Sequence, residues 1–147
     1  MMLRSALLTT VMGACVMLAG CDGMPGSEPD LNALAEQWNT PAKQWSEADL
    51  LRLDRGQKFY KRTCAACHMG SGEGQVSVGA PALKDNAFVS DEVEPLIELV
   101  LEGKGTMPGF SHSVTGMELA DILTYISNAW GNDSGMTFTM EQVDALR

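Results

Sequence analysis

Apolar residues recur at helical spacing in three stretches of this chain, and no stretch makes a convincing strand. The first predicted helix opens at Ser46-Glu47-Ala48-Asp49, a start resembling a capping box, with Trp45 and Leu50 placed as a hydrophobic staple. It runs to about Arg62. Gly56 interrupts it, and since a helix-interior glycine costs up to about 1 kcal/mol relative to alanine, its place there points to a close approach by another backbone. A second helix is predicted over 91–102, with Pro95 in its first turn and Gly103 as its stop. The last long helix opens with the capping box Thr115-Gly116-Met117-Glu118 and the staple Val114 with Leu119. Leu119, Ile122, Leu123, Ile126 and Trp130 form its apolar stripe, Gly131 stops it, and it is the expected partner of Gly56. Weaker helical signals cover Leu31–Trp38 and Thr139–Leu146, the latter with Thr139 and Gln142 as a capping box. The segment 69–86, MGSGEGQVSVGAPALKDN, is too rich in glycine for regular structure. The pattern is all-α: three main helices, long loops and a short C-terminal helix.

The N-terminal 20 residues follow a different rule. Arg4 is their sole charge, and Ala6–Ala19 is largely apolar but short for a membrane span, which identifies a secretory signal. Leu18-Ala19-Gly20-Cys21 resembles the lipobox of bacterial lipoproteins, which implies that Cys21 is acylated and begins the mature chain. A plain signal cleaved after small residues is the alternative. Asp22 resembles the retention signal of inner-membrane lipoproteins, so the expected address is the periplasmic face of the bacterial inner membrane, with the lipid as the anchor. Residues 21–45, rich in Gly, Pro and acidic side chains, are expected to form the lipidated N-terminus and a tether. About 24 flexible residues would reach roughly 25 to 30 Å. Trp38 and Trp45 are expected to pack on the domain formed by residues 46–147.

Charge narrows the partners. The chain has 10 basic and 19 acidic residues, a net charge of −9, and loss of Arg4 with the signal makes it one unit more negative. Such acidity argues against nucleic acid and anionic lipid headgroups.

The candidate chemistry lies in Cys64-Ala65-Ala66-Cys67-His68, the spacing that attaches a c-type haem through two thioethers and leaves the histidine for the iron. A zinc site would want four Cys or His ligands, yet the other candidates are only Cys15, Cys21 and His112. A thioredoxin-like pair would want a βαβ context, whereas a helix precedes this motif and a Gly-rich loop follows it. Cys15 leaves with the signal and Cys21 takes lipid, so no disulfide is predicted.

Further residues resemble the class I cytochrome c family over residues 46–130. Gly56 and Tyr60 stand eight and four positions before Cys64, as the family's helix-crossing glycine and aromatic do, and Tyr125 matches the aromatic of its C-terminal helix. Gly79-Ala80-Pro81-Ala82-Leu83 resembles the loop whose proline carbonyl accepts a hydrogen bond from the haem histidine. The resemblance implies one covalent haem wrapped by the long loops, with Pro81 as the partner of His68. Met107, in Gly105-Thr106-Met107-Pro108-Gly109-Phe110 and 39 residues after His68, resembles the axial methionine. His112 competes for that position, while Met69 is too close to His68 to reach the opposite face. Met117, Met136 and Met140 read as core filler. A cytochrome c′-like gas sensor would carry CxxCH near its C-terminus, and here it lies near the middle.

The cofactor-binding set is therefore Cys64, Cys67, His68, Pro81 and Met107, with His68 and Met107 on the metal and no catalytic residue. His/Met ligation fills both axial positions and raises the reduction potential, which implies a one-electron carrier rather than an enzyme. Expected partners are redox proteins: a quinol oxidation complex, a terminal oxidase or a periplasmic dehydrogenase or reductase. A fixed subunit of such a complex is the alternative, followed by a haem peroxidase or gas sensor with a labile Met107. Arg52, Arg55, Lys58, Lys61 and Arg62 crowd the first helix. Either Arg55, Lys58 and Arg62 form a basic patch beside the haem that steers an acidic partner, or the helix is a solvated face paired with Glu47, Asp49 and Asp54.

Overall fold

The computed structural model describes residues 28–147, so the signal at 1–20, Cys15 and the lipidation at Cys21 lie outside the described residues. Seven α-helices follow in chain order: α1 (Leu31–Trp38), α2 (Glu47–Thr63), α3 (Ala65–His68), α4 (Ala87–Asp91), α5 (Val93–Glu102), α6 (Gly116–Asn128) and α7 (Met140–Ala145). A single 3₁₀ turn, Val76–Val78, interrupts the glycine-rich loop. Among the described residues there is no strand, only isolated bridges, and no helix is long and apolar enough to cross a membrane. The fold is the all-α class I cytochrome c fold.

Local signals set most helix starts. Ser46 Oγ accepts from the Asp49 amide at 3.2 Å to cap α2. Thr115 with Glu118, and Thr139 with Gln142, form reciprocal capping boxes at α6 and α7. The two hydrogen bonds from Thr115 also hold the Glu118 carboxyl below the usual carboxylate range.

The core forms where α2 crosses α6. Gly56 lies at the crossing, where a Cβ would overlap the Asp121 carbonyl oxygen and stand 2.8 Å from Tyr125 Cβ. The Asp121 side chain is buried at the same place and is neutralised from α2, by Arg55 Nε at 2.7 Å and Arg52 Nε at 3.7 Å. Arg62 reaches Glu118 at 3.6 Å, and Lys58 pairs with Asp54 at 2.7 Å. The steering patch expected on α2 is therefore not a free cationic face. The cations are paired, as in the alternative reading, but chiefly with Asp121 and Glu118 of α6 rather than with Glu47 and Asp49.

Several expectations need correction. The predicted 91–102 helix is present as α5 over Val93–Glu102, and the short helix α4, which the sequence reading missed, precedes it across the extended backbone of Glu92. The last long helix ends at Asn128 rather than at Trp130, because Ala129 is extended and Trp130 takes a positive φ of 57°. That turn swings the Trp130 ring onto Tyr60 and Tyr125, with centroids at 5.0 and 5.2 Å. Asn132 holds the turn, its Nδ2 donating to the carbonyls of Ile126 and Leu83 at 2.7 and 2.8 Å. Met117 and Met140 are exposed rather than core filler, whereas Met136 packs on the core.

The tether expected over 21–45 is also shorter than its sequence suggests. Helix α1 buries Leu34 and sets Trp38 edge-on to Tyr125 at 5.9 Å. Lys43 donates to the Gly135 carbonyl at 3.1 Å and covers the half-buried Trp45 ring at 4.3 Å. The packed body therefore begins near Asp30 and not at Ser46. At the other end, Phe138 and Val143 are buried beside α6, and the Arg147 guanidinium donates to the carbonyls of Ser111 and Val114.

Gly56→Ala places a methyl group where the α6 backbone passes, an overpacking with no flexible neighbour to yield. It is expected to cost about 2–3 kcal/mol and lower the melting temperature by roughly 10 °C, as followed by circular dichroism.

Candidate functional site

The site is built outward from the end of α2. Cys64 caps that helix and opens the single turn α3, in which the amides of Cys67 and His68 donate to the Cys64 carbonyl at 3.1 and 3.0 Å. A turn of helix brings positions i, i+3 and i+4 to one side, so Cys64, Cys67 and His68 present together. Burial pushes the Cys64 thiol up to about 11, with Cys67 contributing further. Tyr60, whose hydroxyl is raised well above its ordinary range mainly by burial, donates to the Met69 carbonyl at 2.6 Å. It thereby pins the residue that leaves the motif at a positive φ of 63°.

His68 is buried, and its Nδ1 lies 3.0 Å from the Pro81 carbonyl oxygen. A carbonyl can only accept, so the proton sits on Nδ1 and the Nε2 lone pair is available to a metal. The acceptor is itself held. Gln75 and Ala80 exchange backbone hydrogen bonds of 2.8 and 3.1 Å, and the Gly74 amide donates to the His68 carbonyl at 3.0 Å. Gly74 has a φ of 74°, and a Cβ there would stand 2.5 Å from the Pro81 carbonyl carbon, so glycine is required behind the proline.

Met107 arrives on a second loop. Lys104 and Met107 exchange backbone hydrogen bonds of 3.1 and 3.0 Å across a tight turn, and Pro108 stiffens the exit. Thr106 Oγ1 donates to the Val78 carbonyl at 2.9 Å and ties this loop to the one carrying Pro81.

These parts enclose a cavity of about 850 Å³. Cys64, Cys67, His68, Pro81 and Met107 all line it, and Val78, Phe88, Leu99 and Phe110 supply much of its apolar wall. His112 is exposed and outside the lining, as is Met69. Sequence reasoning missed the apolar wall and the Thr106 link. One signal was available for Leu99, which lies off the stripe of Leu96, Ile97, Val100 and Leu101 that α5 buries in the core. The link between Thr106 and Val78 spans 28 residues and left no local trace.

A family profile described as cytochrome c oxidase, cbb3-type, subunit III matches residues 51–126, just over half of the chain. The chain belongs to the c-type cytochrome family. Among its relatives, cytochrome c6 of Leptolyngbya boryana is 38% identical over 74 residues, covering 48% of this chain and 85% of the relative. The cytochrome c subunit of the quinone alcohol dehydrogenase of Gluconacetobacter polyoxogenes is 27% identical over 103 residues, 63% of this chain and 22% of that subunit. The cbb3-type cytochrome c oxidase subunit CcoP of Azospirillum sp. (strain B510) is 31% identical over 91 residues, 57% of this chain and 31% of that subunit. The cytochrome thus spans about a fifth of the dehydrogenase subunit it resembles.

Haem c is the cofactor of such a cytochrome, and this cavity fits it. The volume falls within the range of roughly 300–1,000 Å³ usual for ligand sites. The walls are largely apolar, two thiols stand at one edge, and the imidazole is oriented with its metal-binding nitrogen free. Helices α1 and α7 lie outside the matched segment, whereas every cavity-lining residue named above lies within it.

Thr106→Val keeps the side chain's shape and removes the hydrogen bond between the two loops. The haem-loaded variant is expected to lose about 1 kcal/mol of stability in denaturant unfolding, with faster amide exchange around Met107.

Proposed function

We propose that this cytochrome is a membrane-anchored, periplasmic, monohaem carrier of single electrons between respiratory or dehydrogenase partners. The observation that carries the reading is the single cavity with His68, its Nδ1 bonded to Pro81, and Met107, held on a loop of its own. Cys64 and Cys67 would bind one haem covalently, with His68 and Met107 on the iron. When bound, haem c supplies an iron that takes up and releases one electron.

The residues around it account for the rest of the role. Pro81 fixes the tautomer and plane of His68, and a ligand basicity set this way tunes the metal. The Lys104–Met107 turn and Pro108 hold the thioether rigidly, which favours little change between oxidation states. The apolar wall of Val78, Phe88, Leu99 and Phe110 excludes water, so few groups reorganise when charge moves. A His/Met pair favours a raised potential. The exposed position of Cys67 supports electron exchange near the thioether edge.

Cys21 would carry the anchor on the periplasmic face of the inner membrane. Confinement at the membrane would raise the effective concentration of membrane partners. Quinol oxidation complexes, terminal oxidases and periplasmic dehydrogenases or reductases are the partner classes. The packing of α1, together with relatives named as subunits of a dehydrogenase and an oxidase, favours a second reading as a fixed electron-transfer subunit. Migration of the native protein as a large assembly on gel filtration is its expected mark.

The visible spectrum of the haem-loaded protein tests the first reading. A far-red thioether-to-iron band in the ferric protein is expected, and Met107→Ala should abolish it. A band that is missing from the parent, or that survives the substitution, would mean that another group holds the distal position. Cys21→Ser should abolish incorporation of labelled fatty acid and release the protein from membranes, and membrane retention would overturn the lipid anchor.

A further inference from the structure

Charge on this molecule is sorted by face. On α2, Arg52, Arg55, Lys58 and Arg62 lie within ion-pair distance of carboxylates, and only Lys61 of its five cations has no such partner among the described residues. On α4 and α5 the reverse holds. Asp91, Glu92, Glu94, Glu98 and Glu102 are exposed, and none forms an ion pair among the described residues.

Two of these unpaired carboxylates, Asp91 and Glu102, border the redox cavity. Asp91 follows Phe88 by three residues and Glu102 follows Leu99 by three, spacings that place each acid beside a residue lining the cavity. Lys104 is the one cation among the lining residues. Val76 supplies the apolar part of this face. It is 96% exposed at the tip of the 3₁₀ turn and does not line the cavity, so a haem seated there leaves it bare. Its neighbour in the turn, Val78, does line the cavity and is also exposed. An apolar contact at the mouth of a redox cavity, bordered by carboxylates that outnumber the single lining cation Lys104, has the make-up of a docking surface with a charged rim.

We propose that the electron-transfer partner docks on this face, setting an apolar patch on Val76 and lysine or arginine side chains against the Asp91–Glu102 carboxylates. This deepens, and rests on, the electron-carrier reading. Charge complementarity selects a basic redox protein as the occupant, and the ion pairs of α2 weaken that helix as a docking element for an acidic one. Complementary fields speed encounter and fade with salt.

The test uses the full-length, haem-loaded protein in its reduced form, mixed by stopped flow with three oxidants: a basic monohaem cytochrome c, tris(phenanthroline)cobalt(III) as a small cation and ferricyanide as a small anion. The rate with the basic cytochrome should fall as ionic strength rises. The triple variant Glu94→Lys, Glu98→Lys, Glu102→Lys should slow that rate by about tenfold, slow the cobalt complex less, and speed ferricyanide. Val76→Asp should slow the basic cytochrome alone, and Lys61→Glu on α2 should leave its rate unchanged. An unaltered visible spectrum in each variant establishes that the haem site is intact. A triple variant as fast as the parent, or a parent whose rate with the basic cytochrome climbs with salt, overturns the docking proposal while leaving the carrier intact. Failure to exchange electrons with any of the three oxidants overturns the carrier reading itself, and the docking proposal with it.

Discussion

The structure depends on one contact made without a side chain. At Gly56 the backbones of α2 and α6 come together closely enough that a single methyl group would collide with the Asp121 carbonyl. Everything that positions the site follows from that approach. Helix α2 ends at Thr63 and hands the chain directly to the Cys64–His68 turn, so the angle at which α2 crosses α6 sets where the thiols and the imidazole stand. Asp121 makes the crossing electrostatically acceptable only because Arg52 and Arg55 meet it from the other helix. A buried carboxylate without them would be costly. The glycine and the ion pairs act together, the first allowing the approach and the second compensating the charge it buries.

Around that crossing, the loops do what helices cannot. The Pro81 carbonyl that orients the imidazole and the thioether of Met107 reach the cavity from segments rich in glycine and proline, and each segment is held by a few backbone hydrogen bonds rather than by a regular ladder. The Gln75–Ala80 and Lys104–Met107 pairs close two small turns, and Thr106 joins them. Such an arrangement fixes Pro81 and Met107 at the cavity with little secondary structure, because each loop is short between its hydrogen-bonded points. A loop as long as 69–86 normally counts against a compact domain. Here it is subdivided by the 3₁₀ turn and by hydrogen bonds from Gly74, Leu83 and Lys84.

What the sequence disclosed was local. Ser46, Thr115 and Thr139 announce helix starts because a cap acts within three residues. Cys64, Cys67 and His68 are legible because their chemistry lies within one turn. Gly56 and its crossing were legible as well, since a glycine weakens the interior of a strong helix and is tolerated there where another backbone needs the space. Several of the features that were misread depend on partners far away in the chain. Asp121 and Glu118 take the α2 cations from across the crossing, which no charge pattern within α2 reveals. Trp130 follows helical spacing in the sequence, but its ring is drawn to Tyr60 and Tyr125 and the helix ends early. Leu31–Trp38 looked like part of a tether because its anchoring contact, Tyr125, lies 87 positions downstream. Most of the cavity wall was hidden for the same reason, since Val78 and Phe110 meet Leu99 only after folding.

The edge-on contact of Trp38 with Tyr125 has a mechanical meaning. Any force applied through the N-terminal end enters the domain at α1, and it is carried first by Leu34, Trp38 and the Lys43–Gly135 hydrogen bond. These contacts are few and peripheral, whereas the interlocked α2–α6 crossing lies behind them. A domain pulled from that end would load α1 first, and the loops that carry Pro81 and Met107 only through the crossing behind it.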